Sequence, residues 1–458
     1  MSDKSCRGAL SSEVTKSTDV RILNSPIVPQ TRCDGSLVSR GQQPRRVLVL
    51  TGPFPSTVLP DYGLPVKERV RAVAHLRDFE LRVVSPVPYF PGASVSRKWS
   101  VWTQFPREET VERISVVRPR YFLPPKLGGY VHSRLMFPAV RRAVERLRID
   151  FKFDLIDAHR VYPTGLVAAW LGRLYDRPVV ITGRGEDMCR FPGRPVIGGQ
   201  IRSALRAATE CVGISREIAE AMKANGAAPD RVSVIPNGVD LEKFRPLPKT
   251  EARQRLSLPA DAKIVVSVGD QFENKGFHIL IDALPEILKA HPDVVVVIVG
   301  GPPRHGSDHG PQIKKRVRKN GLGSRVHFPG RRPHDELAWW YSAADVFALM
   351  SGREGSPNVL LESLACGTPA VATAVGGIVD LLSDPRLGIL LQSRSAPAAA
   401  EGISRALQHP WDHRKIRTVM ESHAWSTTAA KVAGVFQRAI ASYCAVRAEI
   451  VGSGWRPA

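Results

Sequence analysis

From Arg45 onward, apolar runs of strand length alternate with amphipathic runs of helical length, and the alternation occurs twice. The first series reads RVLVLTG, VKERVRAVAHLRDF, ELRVVSP, ISVVRPR, VHSRLMFPAVRRAVERLRI, FDLIDAH, TGLVAAWLGRLY, RPVVITG, IRSALRAA and ECVGIS. Continuous Val, Ile and Leu runs separated by helices predict a parallel sheet covered on both faces. A Pro-rich segment, Val234 to Thr250, breaks the pattern; KIVVSVG, FHILIDALPEILKAH, DVVVVIVGG, RVHFPG, DELAWWYSAADV, VFALM and PAVATAV follow. The expected class is α/β, two facing Rossmann-like domains with doubly wound parallel sheets, joined near Asn237-Gly238. Ligands of such sheets bind beyond the carboxyl ends of the strands, here the interdomain cleft. The expected boundaries are a disordered tail over 1–44, a first half over 45–240, a second over 241–424, and a closing helix over 425–448 crossing back to the first half. Neither half carries a full G-x-G-x-x-G fingerprint, which argues against a dinucleotide.

The 458 residues, 43% hydrophobic, suffice for ordinary globular cores. The longest apolar run, Val294 to Val299, is far shorter than the roughly 18 to 20 residues of a membrane span. The polar, Ser-rich start has no apolar block resembling a secretory signal, so a cytoplasmic location is expected. Six cysteines stand without zinc-type or disulfide-type spacing, and Cys211 and Cys366 read as small core residues.

The stretch GREGSPNVLLESLACGTP places Glu354 and Glu362 eight positions apart. Ser356 suits an N-cap, Pro357 the first helical position and Gly367 a stop, which predicts a helix from Pro357 to Cys366. Glu354 then lies in the loop before the helix and Glu362 about 7 Å along its axis. Between them the amides of Asn358, Val359 and Leu360 lack helical partners and suit an anion or a hydroxyl-rich ligand. Without further context, Glu354 could also assist the helix dipole and Glu362 could form a surface ion pair.

The span from Glu354 to Glu362 resembles the E-x7-E motif of retaining glycosyltransferases of family 4, which have the two-domain GT-B fold. Four more stretches agree in type and order: Phe153 to Leu171, Val234 to Pro246, Ser267 to Leu284, and the GIL that follows the glutamate helix. The resemblance covers about Arg45 to Ala441 and implies a sugar nucleotide lying along the second half. Glu362 would accept from ribose hydroxyls, Glu354 would hold the transferring sugar, and Lys275 would balance the departing diphosphate. Gly355, Ser356, Asn358, Val359, Leu360, Gly269 and Arg331 would complete the donor site, and Gly63, Arg141 and Arg142 would meet the acceptor. Retention is described as attack from the face the leaving group departs, so no protein nucleophile is assigned. No Asp-x-Asp pair stands in a metal-binding context, and no metal or cofactor is expected.

Two positions depart from the family pattern. Arg184, in TGRGED, stands where many relatives have His, and Arg is a fork-shaped permanent cation that takes no proton. Asp270 stands where the family often has Arg, so the diphosphate loses one expected cation that Arg184 could replace across the cleft. The architecture is shared with phosphorylases and sugar-nucleotide epimerases. A phosphorylase would carry a pyridoxal phosphate Schiff base, and an epimerase would need no acceptor.

Net charge is +22, and the excess leans to the first half: residues 1–240 carry 37 Lys+Arg against 23 Asp+Glu. It concentrates in Arg113 to Arg148, where nine basic residues face Glu145 alone. The segment Val131 to Arg148 reads as a basic amphipathic helix, its stripe formed by Leu135, Met136, Val140, Val144 and Leu147, which either packs on the first half's sheet or faces a membrane. The run KKRVRK, Lys314 to Lys319, reads as a solvated helix face. Nucleic acid is disfavoured, because aromatic residues make up 7% of the chain and do not interleave with the basic segments. The expected partners are a nucleotide sugar, a saccharide or polyprenyl-phosphate-linked acceptor, and an anionic membrane surface contacted peripherally through this helix.

Overall fold

The computed structural model describes residues 43–92, 99–124, 128–303 and 306–452. The tail expected over 1–44 lies outside them except for its last two residues. The first half is an eight-stranded sheet. In spatial order its strands are Val232–Val234, Glu210–Gly213, Val179–Gly183, Leu155–His159, Arg45–Thr51, Phe79–Val84, Ile114–Val117 and Glu108–Val111. All neighbours run parallel except the last pair, Glu108–Val111 with Ile114–Val117. The strands that read as continuous apolar runs are buried along their length, as in Leu155–His159 and Val179–Gly183. Helices on both faces shield them from water.

The second half has six parallel strands, in the order Val326–Gly330, Val295–Val299, Ile264–Val268, Val346–Leu349, Ala370–Thr373 and Gly388–Leu391. In chain order this is 3-2-1-4-5-6, the doubly wound arrangement. Each sheet thus has a switch point where the chain turns from building one side to building the other. In the first half it lies between Arg45–Thr51 and Leu155–His159; in the second, between Ile264–Val268 and Val346–Leu349.

The halves belong to one compact unit. The chain crosses between them near Asn237–Asp240 and again near Ala424–Trp425, and the crossings bond each other. Val239 donates to the His423 carbonyl at 2.9 Å, and Trp425 donates to the Val239 carbonyl at 3.2 Å. Only glycine fits at 238, since a Cβ there would lie 2.7 Å from the Trp425 Cα. The helix Trp425–Gly452 then packs Ala429, Val432, Val435 and Phe436 into the first half's core, Phe436 edge-on to Phe79 at 5.6 Å.

The helix containing Val131 to Leu147 spans Gly128–Leu147. Met136, Val140, Val144 and Leu147 are buried in the first half's core, with Leu135 packed beside them. Of the two readings of the stripe, packing on the sheet is the one that holds, and the stripe is not available to a bilayer, while Arg134, Arg141, Arg142 and Arg146 stay exposed. Lys314 to Lys319 is a solvated face as expected, held down by Ile313 and Val317. Cys211 and Cys366 are core residues.

Candidate active site

The loops that follow the strands at the two switch points face one another across the cleft. In the second half the loop after Val346–Leu349 carries Glu354, and the loop after Ile264–Val268 carries Gly269, Asp270 and Lys275. Lys275 Nζ lies 2.6 Å from Glu354 Oε1, which also accepts from Ser351 Oγ at 2.7 Å. Two side chains 79 positions apart thereby share one charge centre. Gly376 holds the segment from behind: at φ 51° it packs on the Glu354 carbonyl, where a Cβ would come within 1.7 Å. Any side chain there would displace the glutamate's backbone.

The helix after this loop runs Asn358–Ala365, one residue shorter at each end than expected, and Pro357, not Ser356, is its N-cap. The Ser356 side chain bonds across the halves instead, accepting from the Asn237 amide at 3.2 Å. Leu360's amide donates to the Pro357 carbonyl at 3.1 Å, so its expected vacancy is corrected. The amides of Asn358 and Val359 remain open among the described residues. Glu362 is buried, which rules out a surface ion pair. Its Oε1 accepts from His334 Nε2 at 2.7 Å and its Oε2 from Tyr341 at 2.9 Å. His334 Nδ1 in turn accepts from Lys243 Nζ at 2.9 Å, which sets the tautomer that donates to Glu362.

Two cavities follow the cleft. One, of about 690 Å3, is lined by Gly269, Asp270, Arg331, His334 and Lys243 with Asp61 and Leu64 from the other half. Arg331 bonds Asp270 at 2.6 Å and approaches Asp61 to 3.9 Å, so the unexpected Asp270 orients a cation from a neighbouring loop. The other, of about 370 Å3, places Glu354, Gly355 and Ser356 opposite Gly63, His159, Arg160 and Arg184. Gly63 opens the helix Leu64–Ala74. Arg141 and Arg142 line neither cavity: Arg141 pairs with Glu145 at 2.7 Å, and Arg142 borders a separate basic groove with Arg107 and Arg146. The acceptor role expected of them thus has no support from the two cavities that face Glu354 and Asp270.

Residues 98–243 match the family described as Glycosyltransferase Family 4, and residues 248–424 match that described as Glycosyl transferases group 1. The D-inositol 3-phosphate glycosyltransferase of Acidothermus cellulolyticus is 32% identical over 337 residues, 69% of this chain and 74% of that protein. The chain belongs to the family 4 glycosyltransferases. A D-inositol 3-phosphate glycosyltransferase of Catenulispora acidiphila is 34% identical over 51% of this chain and 56% of its own length. The putative teichuronic acid biosynthesis glycosyltransferase TuaC of Bacillus subtilis is 28% identical over 81% and 90% respectively. The fold also matches a sucrose-phosphate synthase of Thermosynechococcus elongatus, with TM-score 0.67, 21% identity and coverage of 87% and 100%. The GT-B architecture is thus shared.

In this glycosyltransferase, Arg184 occupies the wall that faces Glu354. Its Nε and Nη2 donate to His159 Nδ1 at 3.2 and 3.0 Å, and its Nη1 to Asn237 Oδ1 at 3.3 Å. Burial, then Arg69, press its basicity well below the usual range, with Asp157 and Asp187 opposing; guanidinium is basic enough to stay charged. His159 must carry its proton on Nε2, which lies 3.3 Å from Asp157 Oδ2 without hydrogen-bond alignment. His159, Arg160, Asn237 and His334 escaped the sequence reading. His334 had one available signal: a polar residue in the loop beyond the carboxyl end of the RVHFPG strand, where parallel sheets bind ligands.

Burial holds folded His159 at about 4 against an ordinary 6.5, Asp157 opposing and Arg184 reinforcing. Between those values the unfolded chain binds the extra proton. Stability is therefore full above pH 6.5 and falls with acidification, by about 1.4 kcal/mol per pH unit for this group. Urea denaturation at pH 7.5 and 5.0 should show the loss, and His159→Gln should flatten the slope even where it lowers stability overall.

Proposed function

We propose that this glycosyltransferase moves a sugar from a nucleotide diphosphate to an acceptor hydroxyl with retention of configuration. The observation that carries the reading is the Lys275–Glu354 pair, at 2.6 Å, facing Arg184 across the cleft. The diphosphate lies by Lys275 and the open amides of Asn358 and Val359, and the nucleoside occupies the larger cavity by His334 and Arg331. Glu354 holds hydroxyls of the donor sugar. The bond from the anomeric carbon to the phosphate oxygen breaks as the acceptor oxygen bonds the same face of that carbon, and the acceptor proton passes to the departing phosphate. Negative charge grows on that oxygen, where Lys275 counters it without reorganising. Glu362 acts through His334, holding the ring that meets the ribose, and through its remaining lone pairs.

The relatives' names, inositol 3-phosphate and teichuronic acid among them, support a hydroxyl-rich, anionic acceptor and a role in cell-surface saccharide assembly. No helix among the described residues is long and apolar enough to cross a membrane. Attachment to an anionic leaflet therefore rests on the exposed arginines of Gly128–Leu147 by charge alone. Sedimentation with liposomes should rise with anionic lipid and vanish at high salt; equal binding to neutral vesicles would remove the membrane role.

Glu354→Gln should lower kcat at least a hundredfold while nucleoside diphosphate affinity, read by calorimetry, moves less than threefold. Near-full transfer by that variant would overturn the role of Glu354. Because Lys275 and helix amides serve the diphosphate, transfer should persist in excess EDTA, and activity lost to chelator and restored by magnesium or manganese would show a required metal.

A further inference from the structure

The first half holds another cavity, of about 310 Å3, which meets the transfer cavity at Pro53, Tyr62 and Arg160. Phe54, Val87, Trp99, Trp102, Phe105 and Leu123 give it carbon walls. The rings brace one another: Trp102 lies edge-on to Tyr62 at 5.3 Å and to Phe105 at 5.3 Å. A sugar ring bound here would need hydrogen-bond partners for several hydroxyls. Setting aside the Tyr62 hydroxyl and the indole N–H groups, the uncharged polar side chains of the lining are largely committed to the protein itself. Tyr121 shares a hydrogen bond with His132 Nε2 at 2.5 Å, Ser85 donates to the Gly52 carbonyl at 2.8 Å and Thr164 to the His159 carbonyl at 2.5 Å. Arg118 donates to Glu109 at 2.7 Å and to the Pro55 carbonyl at 2.5 Å. Burial, with Arg160 adding to it, lowers His132 to about 4, so the ring is neutral at physiological pH. Hydrocarbon suits such a chamber.

Arg160 is the one charged side chain of the lining whose head makes no hydrogen bond among the described residues. Its backbone sits at φ 76° and ψ 134°, which side chains rarely adopt. Three bonds keep it there: its amide donates to the Thr182 carbonyl at 2.8 Å, and its own carbonyl accepts from Gly165 at 3.0 Å and Thr164 Oγ1 at 3.1 Å. Strain maintained in this way belongs to sites where a side chain's direction matters. Here it stations a cation at the doorway between a hydrocarbon chamber and the cavity of Glu354.

We propose that the chamber binds the lipid end of the acceptor, a prenyl-type chain lodged among Trp99, Trp102 and Phe105, with Arg160 holding the phosphate that joins the chain to the acceptor sugar. This rests on the transfer reading above and names its acceptor class, a lipid phosphate. A guanidinium fork matches a phosphate's oxygens in charge and shape. The sugar beyond that phosphate then extends into the cavity where Glu354 and Arg184 face each other. Recognition of the lipid chain thereby belongs to an internal site, separate from the charge attraction between an anionic leaflet and the exposed arginines of Gly128–Leu147.

Calorimetry on the full chain tests this with farnesyl phosphate at monomeric concentrations, farnesol, and inorganic phosphate. Farnesyl phosphate should bind saturably, farnesol at least tenfold more weakly, and inorganic phosphate not detectably. Arg160→Gln should bring farnesyl phosphate down to the level of farnesol, and Trp102→Ala should weaken both lipids; if Trp102→Ala fails to fold by circular dichroism, Trp99→Leu takes its place. Equal affinity for farnesol and farnesyl phosphate, or unchanged binding in Arg160→Gln, would overturn the assignment. Titrating UDP, GDP and ADP into the same protein separates the two readings. Nucleotide binding without farnesyl phosphate binding removes the lipid site alone, whereas lipid phosphate binding without any nucleotide binding supports the site and removes the transfer reading.

Discussion

The side chain of Asn237 ties the two halves together at the point where chemistry is expected. It is 3% exposed, and its amide nitrogen donates to the Ser356 carbonyl at 3.3 Å and to Asn358 Oδ1 at 2.9 Å. Its oxygen accepts from Arg184, and its backbone amide donates to Ser356 Oγ. A buried amide left unpaired is costly, so each of these bonds constrains the others. The segment from Glu354 to Asn358 is consequently positioned by the linker as much as by its own helix. Arg69 reinforces this from the first half, donating to the Ile235 carbonyl at 2.9 Å immediately before the crossing.

Around that junction the first half gathers Arg69, Arg160 and Arg184 against Asp157 and Asp187. Burial weakens the hold of Arg69 and Arg184 on their protons, Arg69 adds to the effect at Arg184, and Asp157 offsets part of the cost at both. Arg184 has a structural consequence at His159, which presents a bare Nδ1 to the guanidinium, and burial with Arg184 reinforcing it keeps the ring neutral. The cleft keeps a fixed positive wall opposite Glu354 at any physiological pH. Such a wall suits a phosphate-bearing ligand, and Asp270, the other departure, is absorbed by orienting Arg331.

The two cavities that meet at Arg160 divide polar from apolar chemistry. On one side Glu354, Arg184 and Asn237 converge; on the other the aromatic rings line a space most of whose uncharged polar side chains bond the protein itself. The division follows from the switch point of the first sheet, where the loop after Arg45–Thr51 supplies Pro53 and Phe54 and the loop after Leu155–His159 supplies Arg160. One strand order thus yields both compartments.

By itself the sequence determined the two parallel sheets, because buried parallel strands require continuous apolar runs and intervening helices, and those are written locally in Val47–Leu50 or Val295–Val299. It also determined that Glu354 precedes a helix bearing Glu362, since turn and helix signals span only a few residues. It left open what the apolar stripe of the basic amphipathic helix meets, because periodicity marks an apolar face without saying what covers it, and the first half's own sheet covers Met136, Val140 and Val144. What only the tertiary structure decided are the pairings across long separations. Lys275 meets Glu354, His334 meets Glu362, Asn237 meets Ser356 and Arg160 faces a chamber of aromatic rings, and no local pattern encodes contacts that arise when loops from separate strands converge at a sheet's switch point.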